Sequence, residues 1–134
     1  MSTTIDPLSV AKTLLLLAKE QCQKTERFAC TAGLILLEQA LQTILFACLA
    51  EKDVRVEENI SFLDLVIAVE QSINPAPFIN KRMMLGLNAS CEATKTCGNT
   101  VDQHTAMEFF TGVNEAIGHL IFITFGKSFL ENEA

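Results

Sequence analysis

Apolar residues recur at three- and four-residue intervals along most of this chain, and signals for strands are nearly absent, so the pattern predicts helices throughout. Asp6-Pro7 predicts a helix start. A carboxylate at the N-cap accepts from free backbone N–H groups, and proline at the first helical position loses no bond by lacking its own. From there to about residue 23, Val10, Leu14, Leu17 and Ala18 fall on one face. After a break at Lys24-Thr25, a second helix over about 26–52 carries Phe28, Ala29, Ala32, Leu36, Ala40, Ile44, Ala47 and Cys48 at helical spacing. Leu34, Ile35, Leu37, Leu41, Leu45 and Leu49 widen that stripe almost all the way round, the mark of a helix that is central or shared with a partner.

The charged stretch 53–59 reads as a loop, and Ser61 with Asp64 as an acidic capping box opening a third helix to about residue 72. The prolines in Asn74-Pro75-Ala76-Pro77 push their predecessors out of the helical region, which predicts a rigid break. A fourth helix is expected over about 78–96, ended by Gly98-Asn99, residues suited to a left-handed cap. Thr100 with Gln103 offers a further capping box for a fifth helix over about 102–130, whose expected buried set is Phe109, Phe110, Val113, Ala116, Ile117, Leu120 and Ile121. With neither repeat nor linker, the 134 residues make one all-α domain spanning 1–134, an antiparallel up-and-down bundle of about five helices.

Composition adds a partner to this picture. A chain this short that is 49% apolar, with a mean hydropathy of +0.30, carries more apolar surface than a small domain readily buries alone. A homodimer through the apolar second and fifth helices is therefore expected, with room for an unidentified protein partner. The longest apolar run, 34–50, is interrupted by Glu38, Gln39 and Gln42, which makes it a core helix and not a membrane span. The five cysteines show no paired spacing and sit among apolar neighbours, as small hydrophobes do in a reducing cytoplasm, and no signal peptide is expected. Net charge is −6 without any run of Lys or Arg, which disfavours a sequence-independent nucleic-acid binder. Tyr and Trp are absent, which argues against an aromatic surface for stacking on bases.

The candidate chemistry centres on LNASCEATKTCG, residues 87–98. Together with AGLILLEQALQTILFACL (32–49), SFLDLVIAVEQS (61–72) and DQHTAMEFFTGVNEAI (102–117), this order of segments resembles the HEPN domain family. In that pattern the fourth helix ends in Leu-Asn-x-x-Arg-polar-x-x-x-His-x-Gly. Leu87, Asn88 and Gly98 match, while Cys91 stands at the arginine, Glu92 at its polar neighbour and Thr96 at the histidine. The resemblance implies a metal-independent RNase in which arginine stabilises the phosphorane and histidine moves a proton. Cys91 supplies no fork of donors and no permanent charge. Thr96 does not ionise near neutrality, and Glu92 repels a polyanion. The loss of acid–base catalysis alone costs about 10²–10⁴-fold. The expectation is a non-catalytic HEPN-like module for protein interaction or assembly. The resemblance implies a toxin–antitoxin or defence-type context.

Other readings compete with it. A divergent RNase or nucleotide-binding protein would use the groove near the degenerate motif, with Lys81, Arg82 and Lys95 as anion contacts and His104 as base. No Gly-rich phosphate cradle supports a nucleotide, and no cofactor is implied. His104, Glu108, Glu115 and His119 share one helix face, but two solvated i,i+4 Glu–His pairs account for them and the Glu-x-x-His motif of di-iron bundles does not occur, so no metal site is assigned. If Cys91 and Thr96 merely occupy abandoned positions, Cys91→Arg with Thr96→His should fold with a loss of no more than about 1–3 kcal/mol.

Overall fold

The computed structural model describes residues 6–73 and 77–128; Asn74, Pro75 and Ala76 of the expected proline break lie outside them. The fold is all-α: α1 (Pro7–Cys22), α2 (Arg27–Glu51), α3 (Phe62–Ser72), α4 (Lys81–Cys97) and α5 (Gln103–Phe125), with no strand among the described residues. Asp6 caps α1 as expected, its carboxylate accepting from the Leu8 N–H at 3.1 Å. Ser61 caps α3 by accepting from the Asp64 N–H, also at 3.1 Å. Gly98 closes α4 in the left-handed region at φ 71°, a conformation that costs a residue without a Cβ little.

Four helices alternate in direction, and α3 bridges the ends of α2 and α4. Cys22 lies against Gly33, while Leu8 shares a cleft with Ala47 and Ala50, so α1 and α2 are antiparallel. The Cys91 thiol faces the Leu34 carbonyl and the Asn88 amide meets Glu38, so α4 runs back along α2. Asn80 bonds the Gly112 carbonyl at 3.0 Å and Gly86 abuts Phe109, which makes α5 antiparallel to α4. α2 and α5 are the parallel diagonal of the bundle, tied at one end by the Val101 N–H donating to the Thr31 hydroxyl and at the other by the Thr124 hydroxyl donating to Cys48 Sγ. Their side chains make most of the core: Leu34, Leu37, Leu41, Ile44, Leu45 and Leu49 from α2, and Ile117, Leu120 and Ile121 from α5, all fully buried.

Several local expectations change. α1 buries Ala11, Leu15, Ala18 and Cys22, not the face through Val10, Leu14 and Leu17; Leu17 is 46% exposed. The small residues are selected because α1 packs closely on Gly33, where an added Cβ would lie 2.6 Å from Cys22 Sγ and 2.9 Å from the Cys22 backbone nitrogen. Phe28, expected inside, is 82% exposed, and Ala32 is also at the surface. α4 starts at Lys81 instead of Phe78, because Asn80 adopts the left-handed conformation at φ 56° while its side chain is held by Gly112. α5 is capped by Asp102, whose carboxylate accepts from the Thr105 N–H at 2.8 Å, and not by Thr100; Gln103 instead donates to the Gln23 carbonyl at the end of α1. α5 ends at Phe125, with Gly126 left-handed at φ 69°, several residues before the expected 130, which is outside the described residues. Phe109 is only partly buried; the rest of the predicted α5 set is inside.

Candidate functional site

LNASCEATKTCG forms the last three turns of α4 and its glycine cap, and its inward side meets a carboxylate that the sequence reading passed over. Glu38, in the middle of α2, is 1% exposed. The Asn88 amide donates to its Oε2 at 2.8 Å, and Lys95 Nζ stands 3.8 Å from Oε1. Burial, against the bond from Asn88 and the charge of Lys95, pushes the Glu38 carboxyl above its ordinary value of 4.5. The only signal for it in the sequence is a lone acid within an apolar run, which served there only to argue against a membrane span. The helix that contains that run, α2, is long and apolar enough to cross a membrane by length and composition, and is mostly buried inside the bundle.

Cys91 is core. Its side chain is 1% exposed, its thiol faces the Leu34 carbonyl at 3.6 Å, and burial followed by the neighbouring Glu38 charge raises its pKa to about 12. A thiol so placed stays protonated at neutral pH and is a poor nucleophile. Thr96 is exposed, and its hydroxyl donates to the Glu92 carbonyl one turn back at 2.8 Å. Glu92 is exposed and stands 4.0 Å from Lys95. The structure thus gathers Asn88, Cys91 and Lys95 around Glu38, with Glu92 beside Lys95, and leaves Thr96 turned to its own helix.

The remaining candidates lie elsewhere. Lys81 pairs with Glu70 of α3 at 2.7 Å, which ties the α3 and α4 ends together, and Arg82 is exposed. His104 stands 3.4 Å from Glu108, both well exposed. They border an open groove of about 470 Å³ between α4 and α5, together with Asn80, Met83, Met107, Thr111, Gly112 and Glu115. Among the described residues no group of three or more His, Cys, Asp or Glu side chains is placed to hold a metal ion. Lys81 and Lys95, at the two ends of α4, are each held by a carboxylate of this chain.

Chemically, the Glu38 cluster can do one thing well. A buried carboxylate facing an amide and an ammonium fixes the register of α4 on α2, because a slip of either helix would leave a charge or an amide buried without its partner. Comparison with family models, with curated proteins and with solved structures finds no significant match to this chain.

Proposed function

We propose that this chain is a non-catalytic HEPN-like bundle that serves as a protein interaction and assembly module, acting as a homodimer. The observation that carries this reading is Cys91. At the position the resemblance gives to arginine, the side chain faces the core, carries no charge and lies beside the buried Glu38 carboxylate. A phosphate approaching it would meet a thiol 1% exposed between the carboxyls of Glu38 and Glu92, with Lys95, the cation of the cluster, already paired with both of them. Thr96, at the histidine position, has a hydroxyl committed to its own helix. The context implied by the resemblance is a toxin–antitoxin or defence-type system.

The divergent-RNase alternative would place the base at His104, and one experiment separates the two. Purified protein incubated with mixed-sequence RNA is expected to leave it intact, for the wild type and His104→Ala alike. Cleavage by the wild type that His104→Ala abolishes would overturn the proposal. An assembly module also retains a stoichiometric protein partner when captured from its native extract.

A further inference from the structure

One face of α2 is the side that the other described helices cover least, its side chains exposed or half-buried, and its pattern defines what fits it. On a helix of about 3.6 residues per turn, Phe28, Ala32, Ile35, Leu36, Gln39, Gln42, Thr43, Phe46 and Ala50 fall within an arc of about 120°. These are the positions of α2, from Phe28 to Ala50, that are exposed or half-buried, apart from Ala29 at the edge of the arc, while the rest of that span is buried. None of them is charged, in a protein of net charge −6. The set is also symmetric about Gln39. Reversed and laid on itself, it sets Phe28 opposite Ala50, Ala32 opposite Phe46, Ile35 opposite Thr43 and Leu36 opposite Gln42. Each phenylalanine then meets an alanine, large against small, as interdigitating helix surfaces require. Gln39 meets itself, and a primary amide both donates and accepts, so two copies can bond reciprocally across a twofold axis.

We infer that this face binds a second copy of the chain, α2 against α2 in antiparallel, with the axis at Gln39. The inference rests on the homodimer reading above and specifies its surface. The stripe is roughly 33 Å long at about 1.5 Å per residue. α1 lies beside the stripe, since Leu8 shares a cleft with Ala47 and Ala50, and its exposed Leu17 adds apolar surface on that helix. Two helices at about 10 Å each give a face of roughly 650 Å², near the ~800 Å² per partner of a standard stable interface. The outward side of α5, with His104, Glu108 and Glu115 at its surface or groove, would set acidic groups against their own copies. The helix that accompanies α2 at the interface is therefore α1 and not α5.

The test uses the full chain. Wild type should sediment as a dimer at micromolar concentration, twice 14.7 kDa. Phe46→Glu should weaken the dimer at least about thirtyfold, the effect of losing a central aromatic contact, while Thr111→Glu on α5 should not. In a Cys97→Ser background, which removes the exposed native thiol, Gln39→Cys should cross-link to a covalent dimer on mild oxidation and Thr111→Cys should not. A wild type that is monomeric overturns the homodimer reading and this interface together. A dimer that Phe46→Glu leaves intact and Gln39→Cys does not cross-link overturns the interface and leaves the homodimer reading standing.

Discussion

Glu38 decides most of what is distinctive at the scale of single residues. Its folded-state pKa lies above the unfolded value, so burial favours the protonated form. Any stability that protonation lends is fully present below about pH 4.5 and is lost as pH rises through the higher folded value. Glu38→Gln keeps an acceptor for Asn88 and removes the buried charge. Its stability relative to wild type should therefore rise with pH above 4.5 and then level off, as read by urea denaturation across pH 4–8. Asn88→Ala should cost about 1–3 kcal/mol at neutral pH, because it leaves a buried carboxylate without its amide. A flat Gln-minus-Glu difference across that range would mean that Glu38 is solvated. Native alkylation should modify Cys97 alone, and all five cysteines should react only in denaturant, as mass spectrometry would count. Restoring the RNase residues should now divide. Thr96→His, on an exposed turn, should shift stability by less than about 0.5 kcal/mol. Cys91→Arg forces a guanidinium into the core and should cost more than the ~1–3 kcal/mol expected of an abandoned groove position, and more still in a Glu38→Ala background, where it is buried without a counter-charge. The segment was legible as the chain's unusual one. Its inward turn was not, because no local pattern tells a buried cysteine from one lining a groove.

The helices themselves were largely legible as elements, because their signals are local. Asp6-Pro7, Ser61 with Asp64, and Gly98 act through bonds within a few residues, and each does in the structure what its chemistry predicts. The errors fall where a distant contact overrides a local choice. Asn80 is held by Gly112, which delays α4, and Asp102 caps α5 while Gln103 reaches across to α1. Asp102→Ala should lower the melting temperature and Thr100→Ala should leave it unchanged. The Asp102 contribution should fade as pH falls below 3.8, since the bonds from Thr105 lower that carboxyl's pKa. At Gly33 an added Cβ would meet the Cys22 sulfur and the α1 backbone, at the Cys22 nitrogen and the Ala18 carbonyl oxygen. Gly33→Ala should destabilise by about 1–3 kcal/mol despite alanine's better helix propensity, because α1 must move away. A gain in stability there would mean that α1 is free to shift.

For the whole molecule, periodicity alone determined the all-α class, the number and order of helices, and the central place of α2, since amphipathic spacing is a property of consecutive residues. Which flank of each helix turns inward was settled only by packing. α1 presents Ala11, Leu15, Ala18 and Cys22 because Gly33 permits close approach, and its larger leucines are displaced to the side. The same packing leaves Phe28 outside and draws Glu38 inside, although hydropathy ranks them the other way. Burial depends on what lies opposite a position in space, and the groups opposite these two are decided by residues far away in the chain: Asn88 and Lys95 make the interior tolerable for a carboxylate, and none of the described helices covers Phe28.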